Sequence, residues 1–136
     1  MTTTIAVIAP GMMGAAIGAR LTDNGAKVIT LLEGRSAETI SRAEDAGMTG
    51  ASLEVIAAAD MILSVLPPGD ALELANKLGP VLAASGNKPH YADLNAVNPE
   101  TAVEIGAVIE KTGCRYIDGG IIGGPPKKGY AGPVIY

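Results

Sequence analysis

The chain has no tryptophan and no phenylalanine, and its four aromatic residues are all tyrosine. A core must therefore be built from Ala, Val, Ile, Leu and Met, and such small aliphatic side chains suit helices packed closely on a sheet. There is one cysteine, Cys114. That excludes an intrachain disulfide framework and fits a reducing, cytoplasmic setting. Cys114 also lacks the Cys/His spacing of a metal centre, so no metal ligands are expected, and a buried inert thiol is the expectation. Neither sign of charge dominates. A net charge of −4, with acids and bases interspersed, gives no electrostatic footprint for nucleic acid or a lipid surface. No apolar stretch approaches the ~18 residues of a membrane helix. The first apolar run has no basic segment before it and is broken at once by Pro10 and Gly11, which is unlike a signal peptide.

What is present is length enough for one domain, 136 residues with 48% hydrophobic content, and a regular alternation of β-rich and helical runs. Strands are expected over Thr4–Ala9, Lys27–Glu33, Met61–Leu66, His90–Leu94, Arg115–Asp118 and Pro133–Tyr136. Helices are expected over Met13–Asn24, Ala37–Ala46, Leu53–Ala58, Asp70–Leu78 and Glu100–Thr112. Asn24-Gly25, Gly47, Gly79-Pro80 and Gly113 close four of these helices, as C-terminal glycines do. Ser36 and Ser52 stand at N-cap positions, and Asn98-Pro99-Glu100 is a helix start with Pro at the first helical position. Strands separated by helices of this length read as right-handed crossovers. The expected fold is α/β, a mostly parallel sheet with helices on both faces. From Gly119 to Gly129 the chain is rich in Gly and Pro and is expected to be loop. The strand-like run at its end implies either an edge strand or a polypeptide that continues, and continuation is the expectation.

The first thirty-odd residues carry the chemistry. Ile5–Ala9 runs into Pro10-Gly11-Met12-Met13-Gly14, then a helix, then a second strand ending in acid at Glu33. This is the layout of a Rossmann-type βαβ unit, in which a helix N-terminus aims free backbone N–H groups at a pyrophosphate. In the usual Gly-x-Gly-x-x-Gly turn the first glycine makes the tight turn, the second admits the pyrophosphate and the third lets helix pack on strand. Here those positions are Ala9, Gly11 and Gly14. Ala9 must keep φ below zero, and Pro10 after it favours an extended Ala9. Gly18, one turn beyond Gly14, keeps a small residue on the helix face that meets the strand. The alternative is a turn with glycines for packing alone. Glu33 lies near the ~20-residue spacing at which an acid meets a ribose 2′-hydroxyl. Arg35 and Ser36 follow it, and a guanidinium and a hydroxyl there would hold a 2′-phosphate. The alternative is a solvated Arg35 and a Ser36 that only caps a helix.

Five blocks in order resemble the N-terminal domain of the 6-phosphogluconate dehydrogenase and β-hydroxyacid dehydrogenase superfamily, which includes 3-hydroxyisobutyrate dehydrogenase. They are Ala9–Gly14, Gly34-Arg35-Ser36, Ala59-Asp60 running into Leu66-Pro67, Asp93–Pro99, and Asp118–Gly124. The resemblance implies an NAD(P)-dependent oxidoreductase acting on CH–OH groups, with NADP favoured by Arg35 and NAD possible. It implies a cofactor site at Ala9, Gly11, Met12, Met13, Glu33, Arg35, Ser36, Val65, Leu66, Pro67 and Asn95. Of these, Met13 packs under the turn while Met12 presents its N–H to the phosphates. It implies substrate contacts at Ile122, Gly123 and Gly124. It also implies a catalytic lysine on a helical second domain beyond residue 136, and a homodimer of the full protein.

Two positions depart from the family's pattern. Ile122 stands where the family carries a serine that contacts the substrate carboxylate, and Ala96 where it carries a threonine near the nicotinamide. A simple β-hydroxy acid substrate is thereby put in doubt, and a non-catalytic dinucleotide-sensing module is the alternative reading. No catalytic residue is assigned within the chain. Lys127 and Lys128 read as solvated loop residues, and His90, the only histidine, has no recognisable carboxylate partner. Asn95 is read either as holding the nicotinamide ribose or amide, or as a cap or turn residue before the helix near Pro99.

Overall fold

The computed structural model describes residues 2–8, 11–123 and 134–136. Ala9, Pro10, Gly124, Lys127 and Lys128 lie outside the described residues. Six strands form one sheet: β1 (Thr4–Ile8), β2 (Lys27–Thr30), β3 (Thr49–Gly50), β4 (Met61–Ser64), β5 (His90–Asp93) and β6 (Tyr116–Asp118). Its order is β3-β2-β1-β4-β5-β6, and every pairing is parallel. The helices are α1 (Met12–Asp23), α2 (Ala37–Asp45), α3 (Leu53–Ala57), α4 (Ala71–Ala84) and α5 (Pro99–Glu110). The order reverses between β1 and β4, and in open parallel sheets ligands bind beyond the strand carboxyl ends at such a reversal.

Period-two alternation along the strands explains why helices cover both faces. Ala6, Ile8, Ile29, Ile62 and Tyr91 point to one face, where Ile56 of α3, Leu74, Leu78 and Leu82 of α4 and Ile105 and Ile109 of α5 close the core. Val7, Val28, Leu63 and Ala92 point to the other, packed by Ile17 of α1, Ala43 of α2 and Met48. Each fully buried Leu or Ile contributes about 1.5–3 kcal/mol. The largest departure from expectation is α4, which runs through Gly79 and Pro80 to Ala84 rather than ending at Leu78. Pro80 forfeits one helical hydrogen bond, yet Leu78 and Leu82 on either side are fully buried. Their burial outweighs the lost bond. Gly79 brings α4 against Val108 of α5, its Cβ position lying 3.5 Å from the valine side chain.

The strands are shorter than expected. β2 stops at Thr30, where β3 ends at Gly50 and the pairing with β1 has finished at Ile29–Ala6 while β1 runs on beside β4. Leu31, Leu32 and Glu33 therefore lie past the strand, and Glu33 stands in an exposed turn rather than at a strand end. β3 is a two-residue strand with no sequence expectation behind it. Within the expected loop, β7 (Ile121–Ile122) pairs antiparallel with β8 (Val134–Ile135). Gly119 makes this possible: a Cβ there would lie 2.7 Å from the Tyr136 carbonyl oxygen and 2.8 Å from Leu94. Gly18 meets the Met48 side chain, with a Cβ position 2.6 Å from its sulfur, so the close approach it permits is to the segment after α2. No helix among the described residues is long and apolar enough to cross a membrane.

Candidate functional site

Two adjoining clefts lie past the strand carboxyl ends and share Arg35, Leu66 and Pro67. One, of about 430 Å³, is bounded by Gly11, Met12, Met13, Thr39, Val65, Pro68, Leu94, Asn95 and Ala96 together with the shared residues. The other, of about 290 Å³, has apolar walls from Ile8, Leu31 and Leu74, with Asp70, Glu73 and Lys77 of the α4 turn and helix at its rim.

The larger cleft opens on the N-terminus of α1. Gly11 is the N-cap, with no side-chain cap hydrogen bond and no acid in the first turn. In contrast, α2, α3 and α5 are capped by Ser36, Ser52 and Asn98, whose side chains accept from Thr39, Val55 and Thr101 backbone N–H groups. The free donors and partial positive charge of an uncapped N-terminus suit an anion. A Cβ on Gly11 would meet nothing within 4 Å and φ is −71°, so the fold does not demand glycine there; open space in front of the backbone is what it provides. Met12 is 75% exposed at the cleft, while Met13 packs against the core cluster under α1. The first turn therefore fits the pyrophosphate of a dinucleotide.

Arg35 follows the turn at Gly34, whose φ of +77° suits glycine, and its N–H donates to the Leu32 carbonyl at 3.0 Å. Its side chain borders both clefts. Ser36 is the N-cap of α2: its Oγ accepts from Thr39 N–H at 3.2 Å and donates to Thr39 Oγ1 at 3.1 Å. The hydroxyl is thus engaged in capping, and Thr39, which sequence reading passed over, reaches the cleft instead. Its position three residues after the cap was the available signal.

The opposite wall is a side-chain truss. Val65 N–H donates to Ile8 C=O and Leu94 N–H to Ser64 C=O at 3.0 Å, tying the ends of β1, β4 and β5 together. Asn95 spans the β4 and β5 ends: Oδ1 accepts from Leu66 N–H at 2.7 Å and Nδ2 donates to Ser64 Oγ at 2.9 Å. The helix cap before Pro99 is Asn98, its Oδ1 accepting from Thr101 N–H at 2.8 Å. Asn95 itself is 8% exposed and held from below, its N–H donating to Asp93 Oδ1 at 2.9 Å. Burial pushes the Asp93 carboxyl above the usual carboxylate range, and Asp118 adds to the rise against the opposing Asn95 N–H. Burial also raises both neighbouring tyrosines, Tyr116 to about 12 and Tyr91 further.

Ile122 is 66% exposed in β7, and neither it nor Gly123 borders the two clefts. His90 is exposed at the amino end of β5, the far edge of the sheet from both clefts. Cys114 is buried and free, and among the described residues no His, Cys, Asp and Glu group has metal-holding geometry.

Comparison with known proteins agrees with this arrangement. The conserved protein MTH1747, of unknown function and structurally similar to 3-hydroxyacid dehydrogenases, superposes with a TM-score of 0.81 at 30% identity, over 99% of this chain and 48% of that one. 3-Hydroxyisobutyrate dehydrogenase of Mycobacterium tuberculosis gives 0.75 at 27% identity, over 91% and 42%. An imine reductase variant from Myxococcus stipitatus, in complex with NAD+, shares the fold at 0.75 and 19% identity, over 92% and 43%. The chain spans about half the length of these proteins. No curated protein matches its sequence. The family model for the NAD binding domain of 6-phosphogluconate dehydrogenase matches residues 4–135, and the chain belongs to that family of Rossmann-type, NAD-binding oxidoreductase domains.

Proposed function

We propose that this chain is the cofactor half of an NADP(H)-dependent oxidoreductase that interconverts a hydroxyl and a carbonyl, with NAD(H) as a weaker ligand. The observation that carries the reading is the uncapped N-terminus of α1 opening on a 430 Å³ cleft. The bound cofactor supplies hydride transfer at its nicotinamide. Backbone N–H groups of Met12 and Met13 bind the pyrophosphate, which approaches over Gly11, and Ala9 belongs to the same cofactor site. Arg35, bordering both clefts, holds the 2′-phosphate by charge-assisted hydrogen bonds, and Ser36 fixes the helix start that carries it. Glu33 is exposed in the turn before Arg35, where an acid would meet the 2′-hydroxyl of the weaker ligand NAD(H). Val65, Leu66 and Pro67 form the ribose and nicotinamide wall, and Asn95 sets its position.

The base and most of the substrate pocket come from a helical region outside residues 1–136. Ile122, Gly123 and Gly124 form the near edge of that pocket in a homodimeric, cytoplasmic full-length protein. Ile122 and Ala96 bring no hydroxyl to it, which favours a substrate other than a simple β-hydroxy acid. On this reading the 136-residue chain binds NADPH weakly, NADH more weakly, and turns over no alcohol. Titration of both cofactors by nicotinamide fluorescence tests it. Absence of binding by either up to about millimolar concentration, a free energy of about −4 kcal/mol, overturns it.

A further inference from the structure

The face of the sheet under α4 and α5 buries a polar ladder at the end nearest the clefts. Tyr91 pairs in register with Ile62 and Tyr116, and Asp93 with Ser64 and Asp118. Ser64, Tyr91 and Asp93 are fully buried. The hydroxyls of Tyr91 and Tyr116 and Oδ2 of Asp93 have no hydrogen-bond partner, although they stand on neighbouring positions of the ladder.

We infer that Asp93, in its neutral protonated form, is the positioning residue that sets the β4–β5 wall of the cofactor cleft by holding Asn95. The inference rests on the cofactor-binding reading above. The hydrogen-bond partner of the Asp93 carboxyl is Asn95, whose N–H donates to Oδ1. The groups that face it are Ser64 of β4, Tyr91 of its own strand, and Tyr116 and Asp118 of β6. None of these carries positive charge. Ile105 and Ile109 of α5 and Leu78 and Leu82 of α4 close that face, and Glu100, Glu104 and Glu110 of α5 point to solvent. An ionised carboxylate so placed is buried, half-bonded and beside a second acid, which is costly. The neutral acid avoids the charge penalty and leaves Oδ1 to accept from Asn95 N–H. Asn95 in turn fixes Leu66 N–H and Ser64 Oγ, and Leu66 and Asn95 both border the cleft. Losing the Asp93 proton drives water into the turn around Asn95 and loosens that wall.

The sign follows from the raised affinity of the folded state for this proton. Stabilisation by neutral Asp93 is complete at acid pH and is lost as pH rises through its elevated titration point. Carboxyl carbon NMR of the 136-residue chain should show Asp93 titrating above the ordinary aspartate range, with the Leu66 and Asn95 amide signals shifting in step. Titration of Asp93 within the ordinary aspartate range, or amide signals indifferent to it, overturns the inference. Asp93→Asn reproduces the neutral acid in shape and keeps an acceptor for Asn95 N–H. The ratio of the native Kd for NADPH to that of D93N should rise with pH through the Asp93 titration, by up to about tenfold per pH unit, and a constant ratio overturns the inference. If neither chain binds NADPH at any pH, the cofactor reading fails, and the amide shifts still decide whether Asp93 positions Asn95. If D93N does not fold, the native titration decides alone.

Discussion

The two halves of the main sheet build their sides of the cleft by different means. At the carboxyl ends of β1 and β2 the buried residues are apolar except Thr30, whose hydroxyl has no partner. The groups that border the cleft there are the first turn of α1, Arg35 and Thr39. At the ends of β4 and β5 the wall is a truss of Ser64, Asp93 and Asn95. Backbone donors at a helix terminus do not titrate and depend on no neighbouring side chain. A buried side-chain truss works only when each member is satisfied. The first half should therefore separate binding from stability, and the second should not.

The largest effect is expected at Asn95. Asn95→Leu strands Leu66 N–H and Ser64 Oγ in a buried setting, and denaturant unfolding should show a loss of about 2–4 kcal/mol. A loss below about 0.5 kcal/mol would erase the contrast between the halves. Next is Arg35→Ala. Affinity for NADPH should fall by about 1.5–3 kcal/mol with NADH little changed and the unfolding midpoint unmoved; equal losses for both cofactors refute a 2′-phosphate role. The smallest is Gly11→Ala. A methyl group there meets nothing within 4 Å, so stability should stay within about 0.5 kcal/mol. Cofactor affinity should nevertheless drop about tenfold, because the pyrophosphate must approach that backbone. Unchanged affinity would mean that the glycine serves neither packing nor binding.

Much of this arrangement was legible from residues in order. The alternation of β-rich and helical runs, with Ser36, Ser52 and Asn98 at helix starts, gives the doubly wound sheet, because caps and hydrophobic periodicity act locally. The two stretches that misled did so for long-range reasons. Gly79-Pro80 reads as a stop, but the burial of Leu78 and Leu82 against α5 carries the helix onward. Lys27–Glu33 reads as one long strand, but a strand extends only as far as its neighbours pair, and β2 loses β1 after Ile29 and β3 after Thr30. In the site, Gly11 and Arg35 were visible as a turn glycine and a cation after the second strand. Thr39, and the charged rim of Asp70, Glu73 and Lys77, were not. Their side chains reach the clefts only because α2 and α4 pack where they do.

The sequence by itself determined that five helices would cross between parallel strands and that one of them would begin at a glycine with no side chain to cap it. These are properties of neighbours along the chain, set by sterics, caps and the spacing of apolar residues. Only the tertiary structure decided that Asn95 would join the ends of β4 and β5, that Ser36 would engage its hydroxyl at Thr39, and that Asp93 would lie buried with no cation facing it. Those outcomes depend on which polar atoms are brought together once water is excluded, and that depends on the register of the whole sheet.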